Sequence, residues 1–130
     1  MSRSKPSARE SAAAMDARLK AAIDEAHAAG MAAVKDFVER TWMAKDGVIY
    51  DASGCAFVKV RTPSYQFREA LKRLNPKAHG LYGAWTVLGF GRQMPREQSI
   101  TAHEIACKAA LNILSAHFPT EEFLVDSHMD

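Results

Sequence analysis

Gly54-Cys55-Ala56-Phe57-Val58-Lys59-Val60-Arg61 decides how this chain folds. Successive side chains of an extended strand point to opposite faces, so Ala56, Val58 and Val60 share one side, and Cys55, Phe57, Lys59 and Arg61 share the other. The uncharged aliphatic set is the core face. Upstream, Asp46-Gly47 is a turn signal and Val48-Ile49-Tyr50 reads as a further strand, joined to Cys55 and its successors through Ala52-Ser53-Gly54 as a hairpin.

Downstream, Thr62-Pro63-Ser64 ends the strand and caps a helix over residues 65–74. Phe67, Leu71 and Leu74 face inward there, while Arg68, Lys72 and Arg73 face water. Asn75-Pro76 stops it. A third strand is expected over residues 81–88, with Tyr82, Ala84, Thr86 and Leu88 alternating against Gly83, Trp85 and Val87. Gly89 to Gly91 is a loop. Pro95 suits a first helical position, and Ile100, His103, Cys107, Leu111, Leu114 and Phe118 step by three or four along one helix face. Pro119-Thr120 breaks that helix, and residues 122–125 form a short last strand.

Before the hairpin, Ser7-Ala8-Arg9-Glu10 has the form of a capping box and predicts a helix start at Ser7. An apolar stripe then runs from Met15 through Leu19, Ala22, Ile23, Ala26, Gly30, Ala33 and Val34 to Phe37, within a helical segment of residues 7–42. Gly30 is its ambiguous member. A glycine costs about 1 kcal/mol relative to alanine inside a helix, which predicts a break there in preference to one long helix with a close packing contact. The sum is an α+β protein of order α-β-β-α-β-α-β, a small mostly antiparallel sheet covered by helices. Residues 1–6 form a disordered basic start and 7–130 a single domain.

With 130 residues, 48% hydrophobic and 25% charged, the composition is that of a soluble globular chain. No apolar run approaches the roughly 18 residues of a membrane span, and no apolar signal segment follows the basic start. Two cysteines, Cys55 and Cys107, make no disulfide framework and fit a reducing cytoplasm.

Charge is distributed unevenly. Residues 52–96 carry eight cations (Lys59, Arg61, Arg68, Lys72, Arg73, Lys77, Arg92, Arg96) against Glu69 alone, a net of +7, while residues 97–130 net −5. A basic block attracts phosphate or an acidic protein surface. The candidate contact set is Lys59, Arg61, Arg68, Lys72, Arg73, Arg92, Arg96 and the aromatic Phe57, with Tyr65 or Trp85 as additional stacking groups for a nucleic-acid strand. Against this, the acidic side chains Glu121, Glu122, Asp126 and Asp130 either fold over the cations and neutralise them or face a basic partner of their own. Gly89-Phe90-Gly91-Arg92 ahead of Pro95 is a second anion candidate at a helix start.

Chemistry is less well represented. His103 and Cys107 are i, i+4 neighbours that offer two ligands where a structural metal needs four, so no metal or cofactor is expected. Cys55 with a histidine base is allowed by the inventory and supported by no spacing. The segment Gly54–Val60 is similar to one strand motif of RNA recognition motif domains, but Cys55 and Val60 stand where that motif has aromatics.

The ordered set Asp46-Gly47-Val48, Gly54 to Val60, Tyr82-Gly83, Gly91-Arg92-Gln93-Met94 and Ser127-His128-Met129-Asp130 resembles a group of small phage and prophage proteins over roughly the last two thirds of the chain. That resemblance implies an interaction role and assigns no residue a function. Three readings follow. The first is a cytoplasmic non-enzymatic protein whose basic block engages nucleic acid or a nucleic-acid-handling complex. The second is a protein-interaction or inhibitor module, a homodimer or host-factor binder, acting through the N-terminal helix. The third is a small enzyme using His103 or Cys55.

Overall fold

In the computed structural model, which describes residues 10–41, 54–76, 78, 80, 81, 83–89 and 100–129, the first helix is long and unbroken. It is α1 (Ala12–Thr41). Ser11, not Ser7, caps it, its hydroxyl accepting from the Ala14 amide at 3.1 Å. Glu10 is engaged elsewhere, in an ion pair with Arg18 at 2.8 Å.

The break expected at Gly30 is absent. Met15, Leu19, Ala22, Ala26, Gly30 and Val34 are all buried, spaced four, three, four, four and four, so Gly30 lies on the packed stripe. Burial of that stripe outweighs a propensity cost of about 1 kcal/mol.

The strands follow as β1 (Gly54–Arg61), β2 (Gly80–Leu81), β3 (Ala84–Gly89) and β4 (Glu122–Met129). Two further helices, α2 (Tyr65–Leu74) and α3 (Ile100–His117), complete the described elements. The sheet order is β2-β3-β1-β4 with every pair antiparallel. Over Phe57–Arg61, β1 has β3 on one side and β4 on the other. The strand expected at Val48-Ile49-Tyr50 and the helix start at Pro95 lie outside the described residues.

Two expected strands differ in extent. Residues 81–88 are not one strand but a tight hairpin, because Gly83 takes a φ of 78° and turns the chain between β2 and β3. In β3 the period of two fails as well. The β1–β3 register shifts between Val58 and Lys59, so Val87 is an extra residue of a bulge and both Val87 and Leu88 are buried. The last strand continues four residues past Val125, paired residue for residue with β1 from Gly54↔Met129 to Arg61↔Glu122.

One core results. Ala56, Val58 and Val60 are fully buried beneath α3, which contributes Ala102, Ala106, Cys107, Ala110 and Leu114, and the stripe of α1 packs in turn on α3. The other side of the sheet carries Cys55, Phe57 and Lys59, half-buried, and Arg61, exposed. Helix α2 packs at the end of this core through Phe67, whose ring meets Phe118 and Phe123 edge-on at 5.1 and 5.8 Å. Among the described residues, no helix is long and apolar enough to cross a membrane.

Candidate functional site

Basic side chains of residues 52–96 separate into two groups in space. Lys59 and Arg61 stand on the sheet face turned away from the helices, with Phe57, because β1 alternates. Arg68, Lys72 and Arg73 stand on α2. Lys77, Arg92 and Arg96, and with them the glycine-loop anion candidate ahead of Pro95, lie outside the described residues.

The sheet group is neutralised by β4. Lys59 donates to Asp126 at 2.7 Å, and Arg61 pairs with Glu122 at 3.5 Å. His128 also reaches Asp126 at 3.4 Å, and its ring meets Phe57 edge-on at 6.2 Å. The hydrogen bond from Lys59 holds the Asp126 carboxyl below its ordinary range against the opposing effect of partial burial. Two cations therefore face two carboxylates, and the acidic tail covers this half of the basic block as a paired strand.

On α2 the balance differs. Tyr65, Arg68 and Lys72 are spaced three and four, which places them on one helix face. The Arg68 guanidinium lies over the Tyr65 ring, 5.5 Å from its centre, and the Lys72 ammonium over Trp85 at 5.6 Å. Both cations share one carboxylate oxygen of Glu69, at 3.6 and 3.3 Å. Arg68 Nε makes no hydrogen bond among the described residues. Among the described residues, one positive charge on this face is thus left without a counter-charge. Tyr65 is 68% exposed, and the Arg68 and Lys72 side chains are 38% and 46% exposed.

Local sequence explains why this face is held in place. Ser64 caps α2, its hydroxyl accepting from the Phe67 amide at 3.4 Å, while the Glu121 carboxylate accepts from the Ser64 amide at 3.0 Å. Arg73 points the other way and clamps α2 to α1, donating through Nε and Nη2 to both oxygens of Asp16 at 2.7 to 2.9 Å. That clamp depresses the Asp16 carboxyl, chiefly through the hydrogen bonds. Trp85 is fixed from below. Its indole lies against Gly80, where an added Cβ would overlap Nε1, so the glycine leaves the ring its seat. Trp85 opposes Val60 in the sheet, on the helix side, and does not join Phe57, Lys59 and Arg61 as one stacking surface. A cavity of about 390 Å³ opens between the starts of α1 and α2, lined by Glu10, Met15, Tyr65, Gln66, Glu69 and Arg73.

The chemical candidates are placed less favourably. His103 and Cys107 are buried in the core, 3% and 0% exposed. Burial first, and then the neighbouring Glu104 and Cys55, push the Cys107 thiol up to about 12, far from a thiolate at neutral pH. Glu104 accepts from the Ser127 hydroxyl at 2.8 Å. Among the described residues, no three His, Cys, Asp or Glu side chains gather as a metal site would require. Cys55 and His128 are cross-strand partners on the open sheet face, a neighbourhood that their separation of 73 positions hides in the sequence. The apolar stripe of α1 is spent in the core, leaving Ala13, Ala14, Ala17, Ala21, Ala28 and Ala32 among charges on its exposed side.

No family model, curated protein or solved structure matches the chain.

Proposed function

We propose that this is a small non-enzymatic binding protein of phage type that engages a single-stranded nucleic acid through the α2 face, with Tyr65 and Trp85 as stacking rings and Arg68 and Lys72 as phosphate contacts. One observation carries the reading: two exposed cations, each lying over an aromatic ring, share a single carboxylate. Such pairs are worth only about 0–1 kcal/mol at a surface, so a phosphate replaces Glu69 at little cost. Aromatic rings take bases of any sequence by stacking, and cations between them follow the backbone. Lys59, Arg61 and Phe57 have a lesser part, because each of those cations already has its own carboxylate. Arg73 serves as the clamp that holds α2.

Fluorescence anisotropy with a labelled oligonucleotide tests this across salt concentrations. Affinity is expected to fall with salt, and Arg68→Glu with Lys72→Glu to abolish binding. Tyr65→Ala is expected to cost about 1–3 kcal/mol, the usual size of a lost base stack. Lys59→Gln with Arg61→Gln is expected to leave affinity nearly unchanged. No binding at low salt, or equal losses from the two pairs of substitutions, rejects the assignment and favours a protein partner.

A further inference from the structure

β4 is the last strand in the order β2-β3-β1-β4, and among the described residues nothing pairs with its outer side. Every second residue of such a strand turns its N–H and C=O away from the sheet, offering a template for another strand. Natural edges are blunted by charged side chains, proline, bulges or shortness. β4 carries the carboxylates Glu122 and Asp126, each paired with a cation of β1, but no lysine, proline or bulge: Glu122-Phe123-Leu124-Val125-Asp126-Ser127-His128-Met129 is eight residues long, and its register with β1 runs without a shift. The opposite edge, β2, is only two residues long.

We propose that β4 pairs with β4 of a second copy of this chain, antiparallel about a two-fold axis at Val125, continuing two four-stranded sheets into one. Avoidance of opposed carboxylates selects the register. Directly opposed residues of an antiparallel pair lie on the same face, so even-numbered residues of one copy must face even-numbered residues of the other. An axis at Leu124 sets Glu122 against Asp126 twice, and an axis at Asp126 sets that carboxylate against itself. Both registers oppose like charges. An axis at Val125 sets Glu122 against His128 twice, Leu124 against Asp126, Phe123 against Ser127 and Val125 against its own copy. Axes at Phe123 or Ser127 pair at most five residues of the eight. The Glu122 and His128 side chains are 64% and 62% exposed, at opposite ends of the strand, where the register needs them.

Sedimentation equilibrium of the full chain over a range of concentrations, with thermal melting as a check on folding, tests the assignment. The wild type is expected to give a dimer mass. His128→Glu, which opposes two carboxylates twice over, is expected to weaken dimerisation by about tenfold or more. The exchange Glu122→His with His128→Glu restores both Glu–His pairs of the Val125 register and is expected to recover most of the affinity. Glu122→Lys opposes lysine to histidine and serves as the second route should His128→Glu melt early. A monomer at every concentration, or a dimer indifferent to His128→Glu and Glu122→Lys in folded protein, overturns the proposal. A dimer weakened by His128→Glu but not rescued by the exchange overturns the register.

Discussion

Replacing Phe67 measures how firmly the candidate surface is attached to the rest of the molecule. Its side chain is fully buried and joins three elements, with its own helix α2 on one side, Phe118 just past α3 on a second and Phe123 of β4 on a third. Phe67→Ala removes the ring and leaves a cavity between elements that cannot all close on it, a loss of about 3–5 kcal/mol. Phe67→Leu retains most of the buried volume but forfeits two edge-on ring pairs, each worth about 0.5–1.5 kcal/mol, so its cost is about 1–3 kcal/mol. For a chain of this size, 1 kcal/mol moves the melting temperature by roughly 3–5 °C, which predicts a drop of about 10–25 °C for the alanine variant. Urea unfolding followed by circular dichroism gives the free energies, with an unchanged m-value as the sign that the native state stays compact. If Phe67→Leu falls within about 0.5 kcal/mol of wild type, the rings do not contribute as pairs, and the account of how α2 is anchored is wrong.

Gly54→Ala is expected to destabilise by about 1–3 kcal/mol in thermal melting, because the new Cβ would overlap the backbone carbonyl of His128 and come within 2.9 Å of Ile100 Cδ1. Gly83→Ala has free space, its nearest neighbour being Thr62 Cγ2 at 3.9 Å, yet at a φ of 78° it should cost about 1–2 kcal/mol through backbone conformation alone. Acid unfolding reports on the Lys59–Asp126 pair. The folded state lowers the Asp126 carboxyl, so the stabilisation is complete above the unfolded value near 3.9 and is lost as pH falls through the folded one. The stability gap between wild type and Lys59→Met should therefore be present at pH 6 and narrow below about pH 4; Asp16, common to both proteins, cancels, and a gap independent of pH excludes the pair as its source.

Periodicity made most of the fold legible, and it failed where contacts distant in sequence decide the outcome. The strand from Ala56 to Val60 and most of the buried faces of α2 and α3 follow from spacing, because each buries one face of a regular element; Leu74, expected to face inward, is instead 37% exposed at the last turn of α2, and Ala70 is buried with Phe67 and Leu71. Gly30 was misleading because propensity counts the cost of a glycine locally, whereas the stripe it belongs to is stabilised by packing along the whole length of α1. Ser127 and His128 lack the β-branched or aromatic character of a strand. They are extended because Ala56 and Cys55 pair with them, and no property of residues 126–129 taken singly signals that. Within the candidate site, Tyr65, Arg68 and Lys72 could be placed on one helix face from their spacing. The ring beneath Lys72 could not, since Trp85 reaches it through a bulged strand and a seat on Gly80.

The same distinction changes the meaning of the charge pattern. A block of +7 followed by a tail of −5 describes a dipole along the chain, and it becomes a dipole in space only if the two segments fold apart. Here they fold together: β4 lies beside β1, and Asp126 and Glu122 meet Lys59 and Arg61 across the sheet. Charge segregation in this sequence therefore acts partly as a pairing signal, bringing a basic strand and an acidic one into register. What survives as an outward field is the part whose carboxylates are too few. On α2, Arg68, Lys72 and Arg73 stand against Glu69, and Asp16 takes up Arg73 alone. The cations most available to a partner are those left after internal pairing, not those most numerous in the sequence, and on that ground Arg68 and Lys72 rank ahead of Lys59 and Arg61.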